Sequence, residues 1–468
     1  MLLKGLLFFN LLFVVNQVHF PWETGIPGVA PTNILFVLIL VAMRNKPDAL
    51  ANVRPMIQPP LLYFFAALTL AFLWAQVRAP GNFIQDFTYL KNAVYYPLFY
   101  FIYLKCRQDE KTTRQLLIWI MMIAAVAGLE AIREGLDYGF GKYNPARRAS
   151  GPFGTDWHNA NRAGVFYAMF TPMFVALALF LRKRRLWRIA AVAGAALLAG
   201  GALFTYSRQA YFLILLSVAV LLLRKSIIVA VAIGATLMAL SGYLPDSVGQ
   251  RVDETSQESK KGGVEVDEST ASRWEIWAGA MGMVKDNPLG VGLSRFKGEI
   301  GNYSSHKGMD AHNFYVLTLA ETGPQGLVAL LFLMGSLFFR LAAFLRRSVA
   351  PDDPEATALM LGFTVCTLCM ALGGIYGSPT LEGAVMAPYW ALCGLLERYV
   401  RLRMQNADGG PKAEAEPSLV ERFPLAAHIE PGRHGRVESR GGGATATYST
   451  ATIHICAPWT GRARQVTS

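Results

Sequence analysis

Charged side chains are scarce. Only 16% of the 468 residues are Asp, Glu, Lys or Arg, against about 25% in a soluble domain. That excludes an ordinary water-facing surface for most of the chain, and the 53% hydrophobic content excludes intrinsic disorder over most of its length. Cysteine is sparse too, at five residues, which excludes a disulfide scaffold. Cys366-x-x-Cys369 has the spacing of a metal or redox pair. It lies inside an apolar run with no second pair, so both residues read as small packing side chains. A Gly-Lys-Ser/Thr phosphate loop is missing, which argues against an ATP-driven machine. Gly290-x-Gly292 lacks the strand and helix of a nucleotide fold and reads as a turn. Alternating period-two segments, the mark of a membrane barrel, are absent, and so is any internal repeat of the kind that builds two-halved transporters.

Long apolar runs are abundant, and helices are the way to bury backbone polar groups in lipid. Twelve spans are expected near residues 2–18, 30–43, 60–76, 87–104, 115–132, 162–181, 189–205, 210–223, 226–244, 314–339, 356–373 and 380–396. The fold class is therefore all-α, a polytopic integral membrane helical bundle. With the N-terminus set on the cytoplasmic side, the six loops that fall inside hold twenty Lys and Arg, and the four short outer loops hold two, Arg78 and Arg208. This imbalance follows the positive-inside rule and puts both termini in the cytoplasm. The first span, led by Lys4, reads as an uncleaved anchor, since no small-x-small site follows before Pro21.

Two outer loops are long, about 133–161 and 245–313. The larger begins with an acidic stretch, Asp253 to Ser272, whose composition predicts mobility. It continues with Trp274, Trp277, Met281 and Val284 at helical spacing, predicting a helix on the membrane face capped by Ser272. The membrane domain is expected over 1–403. Residues 404–468 change to Gly, Pro, Arg and Thr and read as a disordered cytoplasmic tail.

Chemistry is sought at the outer face, where an intramembrane charge is costly without a role. Arg208 stands in the tight turn Thr205-Tyr206-Ser207-Arg208-Gln209, where a guanidinium can fork two hydrogen bonds to a phosphate or anchor to a headgroup. His312, in Asp310-Ala311-His312-Asn313 ahead of an apolar helix, can exchange a proton near neutral pH or merely pair locally. Arg147, Arg148, His158, Asn159, Asn161 and Arg162 form a third polar group on the same face, suited to a polyanion or to headgroups.

These motifs together resemble the O-antigen ligase and polymerase superfamily. Arg273-Trp274-x-x-Trp277 continuing to Asp286-Asn287-Pro288-Leu289-Gly290-Val291-Gly292 is similar to its large-loop signature. His312-Asn313-Phe314-Tyr315 follows, then Glu321-Thr322-Gly323-Pro324-Gln325-Gly326. Tyr206-Ser207-Arg208 matches the motif at the paired spans, and Arg148-x-x-Gly151-x-Phe153 with Asn161 matches the preceding loop. The resemblance covers roughly residues 145–345. Pro324-Gln325 departs from two small or apolar residues common in the family, without touching a chemical group.

The resemblance implies a bacterial inner-membrane glycosyltransferase with a periplasmic active site, acting as an O-antigen ligase or as a polymerase of surface polysaccharide. It implies a glycan donor on undecaprenyl pyrophosphate and a lipid A-core or glycan acceptor, with neither metal nor cofactor. On the matching positions, Arg208 and Arg148 hold the donor pyrophosphate, with Arg273 and Arg295 as further candidates. His312 activates the acceptor hydroxyl or assists the leaving group, and Asn161, Asn313 and Glu321 are additional site candidates. Glu265-Val266-Asp267 resembles the acidic metal pair of other glycosyltransferases but reads as a solvated loop. The alternative is a flippase or permease for a lipid-linked glycan or anionic solute. The net charge of +12 is accounted for by the cytoplasmic loops, so it records topology and gives no support to nucleic acid as a partner.

Overall fold

The computed structural model describes residues 2–16, 30–139, 144, 146–154, 159–181, 184–241, 256–258, 264–266, 268–348, 353–378, 382–407, 435–436 and 447–448. His158, Asp267, part of the acidic stretch and nearly all of the tail lie outside them. Two compact units divide the chain, residues 1–404 and 405–468. Of the second, residues 405–407 and a short pairing of residues 435–436 with 447–448 are described.

The first unit is a helical bundle. Its helices are α1 (Leu2–Val15), α2 (Pro31–Met43), α3 (Gln58–Arg78), α4 (Phe83–Tyr95), α5 (Leu98–Leu104), α6 (Glu110–Tyr138), α7 (Asn159–Phe180), α8 (Arg185–Phe204), α9 (Arg208–Lys225) and α10 (Ile227–Ser241). A short antiparallel pair, 256–258 with 264–266, follows. Then come α11 (Glu268–Asp286), α12 (Phe296–Glu299), α13 (Phe314–Ser336), α14 (Ala343–Arg347), α15 (Pro354–Gly373) and α16 (Gly383–Ala407).

Each of the twelve stretches expected to span is largely helical over its described residues. Among the described residues, six helices are long and apolar enough to cross a bilayer: α3, α6, α7, α8, the continuous run Phe314–Arg347 and α15. The others depart for separate reasons. α1 and α2 have 14 and 13 residues, short of the ~20 a crossing takes. The expected span 87–104 is two helices, because Pro97 offers no backbone N–H and interrupts the hydrogen-bond ladder there. α16 is buried along most of its length, from Val385 to Val400, with Glu397 and Arg398 wholly inside the protein.

α7 is central and packs against α8, α9 and α15. α6 and α8 approach backbone to backbone: a Cβ on Gly128 would stand 2.8 Å from the Leu197 carbonyl. Polar caps set the helix ends. Asp109 accepts from the Thr112 amide at 2.9 Å, and Asp353 from the Ala356 amide at 3.1 Å, each satisfying an otherwise orphaned donor.

The loops sort into two sets at opposite ends of the bundle. At one end Arg398 donates to Asp48 at 3.0 Å and to the Leu104 carbonyl at 2.8 Å, Arg403 pairs with Asp353 at 2.6 Å, and Arg184 with Glu355 at 3.1 Å. At the other, Arg78 pairs with Glu299 at 3.1 Å, Arg148 reaches the Thr205 carbonyl at 2.8 Å, and the Phe314 amide donates to the Gly374 carbonyl at 2.8 Å. Loops assigned to one side by charge thus meet one another, as alternating spans require.

The large loop has a core of its own, in which Ile276, Ala280, Met283, Val291, Phe296, Ile300 and Ala311 gather with Leu317 and Ala320 of α13. Its helix differs from the expectation. It starts at Glu268, so Ser272 lies inside it rather than at its cap. The packed stripe is Ile276, Trp277, Ala280, Met283 and Val284, with Trp274 and Met281 exposed. The helix turns this face to the loop core because more apolar area is buried there than along the stripe of 274, 277, 281 and 284.

Candidate functional site

Arg208 is the first residue of α9, placed there by a turn that the sequence enforces locally. Thr205 donates to the Ala202 carbonyl at 2.7 Å and accepts from the Ser207 amide at 3.2 Å. Tyr206 takes a positive φ of 49°, and Ser207 caps α9 by accepting from the Ala210 amide at 3.4 Å. The half-buried Arg208 side chain lines a cavity of about 340 Å³ with Asn161, Gln209, Thr270, Arg273 and Tyr376 among its walls. Three side chains distant in sequence, Asn161, Arg208 and Arg273, therefore face one space.

Three of the wall residues, Gln209, Arg273 and Tyr376, are held from behind. Gln209 donates to the Gly373 carbonyl at 2.8 Å. The Arg273 guanidinium lies 5.7 Å from the Tyr376 ring centre, a cation–π distance. Tyr376 in turn meets Trp277 with ring centres 5.8 Å apart, and the Trp277 indole donates to the Ala311 carbonyl at 2.8 Å. That chain of contacts ties the cavity wall to the backbone directly before His312.

His312 is half-buried and carries a positive φ of 48°. Its amide donates to Asp310 Oδ1 at 3.0 Å. Asp310 also accepts from Ser378 at 3.5 Å and lies 3.6 Å from Lys297. Burial pushes the imidazole below its usual 6.5, and the charges of Arg273, Lys297 and Arg162 act in the same direction, while Asp310 opposes them. The net effect favours the neutral ring over the protonated one.

The other expected residues sit differently. Arg148 is 5% exposed. It donates to the Thr205 carbonyl and, at 2.6 Å, to Asn161 Oδ1, so it braces both the Arg208 turn and a cavity wall without lining the cavity. Arg295 stands apart from the cavity, doubly bonded to Asp86 at 2.7 and 2.5 Å and to the Ala79 carbonyl at 2.8 Å. Asn313 is the cap of α13, accepting from the Tyr315 and Val316 amides at 2.9 and 3.1 Å. Glu321 is buried and accepts from the Phe296 amide at 3.2 Å. Its own carbonyl receives the Gly292 amide at 3.0 Å, which fastens the large loop to α13. Gly290 is required at this seam: with φ at +87°, an added Cβ would stand 2.5 Å from the Glu321 carbonyl oxygen. Arg162 pairs with Glu382 at 3.0 Å.

Tyr376 and Gln209 were not singled out in the sequence. Gln209 follows Arg208 directly, and Tyr376 sits in the Gly-flanked turn Gly374-Ile375-Tyr376-Gly377 between two apolar runs. Among the described residues no group of three His, Cys, Asp or Glu side chains is arranged as metal ligands.

The family model described as O-antigen ligase matches residues 193–331. The match supports the superfamily indicated by the motifs and takes in Arg208, Arg273, Arg295, His312, Asn313 and Glu321, while Arg148 and Asn161 precede it. No curated protein matches the chain. The chain is a multi-pass membrane protein with an O-antigen ligase-type segment at the core of its candidate site.

Proposed function

Proceeding from that core, we propose that the protein transfers a glycan from undecaprenyl pyrophosphate to an acceptor hydroxyl at the periplasmic face of the inner membrane, as an O-antigen ligase or polysaccharide polymerase. The twelve-span topology with both termini in the cytoplasm belongs to the same proposal and rests on the Lys and Arg distribution. One observation carries the reading: Arg208, Arg273 and Asn161 converge on a single cavity, with a neutral-biased His312 beside its wall.

The two cavity arginines neutralise the donor pyrophosphate, which becomes a good leaving group as charge grows on its oxygens. The acceptor oxygen attacks the anomeric carbon, the bond from that carbon to the pyrophosphate oxygen breaks, and the electron pair leaves with undecaprenyl pyrophosphate. The acceptor proton passes to the His312 imidazole and from there to solvent. Attack opposite the leaving group inverts the anomeric centre. Arg148 acts as a positioning residue through its bonds to Asn161 and Thr205.

Purified protein, donor lipid and acceptor in vesicles without any gradient test this. Product formation is expected, and its absence together with donor translocation would assign a transporter. His312→Ala or Arg208→Ala is expected to lower transfer by at least about 10²-fold while the protein still inserts. Full transfer by either variant overturns its assigned role. In a deletion strain, loss of all attached surface glycan marks a ligase, and single-repeat products mark a polymerase.

A further inference from the structure

The end of the bundle opposite Arg208 holds a second opening. An apolar groove of about 320 Å³ runs between α6, α7 and α8, walled by Met121, Ala125, Leu177, Ala190 and Leu197 among others. Its residues on α6 extend from Arg114 to Ala125, a depth of roughly 16 Å at the rise of an α-helix. The far end is wholly apolar, while the mouth is charged and aromatic, formed by Arg114, Trp187 and Glu355.

The mouth carries surplus positive charge. Arg114 forks onto Glu355, with one bond at 3.1 Å, and its guanidinium lies 5.7 Å from the Trp187 ring centre. Arg184 reaches the same carboxylate at 3.1 Å. One carboxylate thus serves two guanidinium groups. Arg185 adds a further exposed charge and has no acidic partner among the described residues. α8 also begins here, so the positive end of its dipole points the same way. The mouth is remote from the candidate catalytic cavity. On α6, Arg114 is about 30 Å from Gly135 by helix rise, and Gly135 packs against Phe204, just before the Arg208 turn.

A slot with apolar walls and a cationic rim at one end suits an amphiphile with a hydrocarbon chain and an anionic head. We propose that this groove binds an acidic phospholipid of the surrounding bilayer, with one acyl chain between α6, α7 and α8 and its phosphate on the Arg184–Arg185 rim. Trp187 lies at the level where chain and head meet, the usual depth of an indole at a membrane interface.

The test uses the full chain in vesicles of equimolar phosphatidylglycerol and phosphatidylcholine with a small fraction of polyprenyl phosphate, followed by detergent extraction and native mass spectrometry of retained lipid. Phosphatidylglycerol is expected to be retained about five-fold over phosphatidylcholine, the weight of one basic side chain at an anionic surface. Arg185→Glu is expected to bring the ratio to parity. Ala190→Trp is expected to fill the groove and lower retention of both phospholipids. Both positions are exposed, and an unchanged size-exclusion profile confirms that the variants fold. Equal retention of the two phospholipids by the unaltered protein means annular lipid only and overturns the proposal. So does a preference that survives both substitutions, or displacement of phosphatidylglycerol by polyprenyl phosphate.

Discussion

Arg208 and Arg273 present guanidinium groups to one cavity, and the choice of arginine there has a consequence. A planar fork matches two phosphate oxygens at once, whereas a lysine is a single point charge. Arg208→Lys is therefore expected to retain insertion but lose about ten-fold or more in transfer, measured in vesicles, since a bidentate charge-assisted contact is replaced by a single one. Transfer equal to the unaltered protein counts against pyrophosphate binding at Arg208. His312 makes a second prediction. With its imidazole held below 6.5, the acid limb of the kcat/KM profile is expected below pH 6.5, because the proton acceptor is already neutral above it. Asp310 stabilises the protonated ring, so Asp310→Asn lowers the imidazole further and moves the limb to lower pH. The amide oxygen of Asn keeps an acceptor for the His312 backbone N–H. A limb that moves upward rules out His312 as the group reported.

At the scale of elements, the large loop is fastened rather than draped. Arg295, half of a buried double hydrogen bond with Asp86, ties it to α4 and to the end of α3, with side-chain exposures of 12% and 4%. Removing one partner strands the other charge. Arg295→Ala is expected to lower stability by about 3–5 kcal/mol, read as a drop in Tm in detergent. Arg295→Ala combined with Asp86→Ala should recover part of that loss. If Arg295→Ala instead leaves Tm unchanged and abolishes donor binding, Arg295 acts on substrate. Asn313 and Glu321 belong to the same fastening. One caps α13 and the other receives the Phe296 amide.

At the scale of the molecule, the loops gather at two ends, and charge assigns the ends to two sides. Single cysteines at Ser305 and at Arg185 are expected to react from opposite sides of intact spheroplasts with a membrane-impermeant thiol reagent, the first from outside and the second only after lysis. Cys456 is first replaced with Ser in both variants, and the other native cysteines (Cys106, Cys366, Cys369 and Cys393) are buried, which keeps the background low. Labelling of both from the same side breaks the alternation on which the topology rests.

Local composition and spacing were enough to determine the helical membrane architecture and to single out Arg208 and His312 as candidates, with Arg273 added by the family motifs. Apolar runs must form helices in lipid, and a costly charge at an interface signals use. Where each helix ends, and so how many are long enough to cross, was not legible, because an apolar run shows where a helix can form while its bounds are set by caps and packing. Nor was the division of labour among the arginines. Arg148, Arg208, Arg273 and Arg295 look alike along the chain, and only packing decides which faces the cavity, which braces Asn161 and which is matched to Asp86. Sequence specifies a guanidinium's charge. The neighbours packed around it decide whether that charge clamps a loop, braces a wall or lines a cavity.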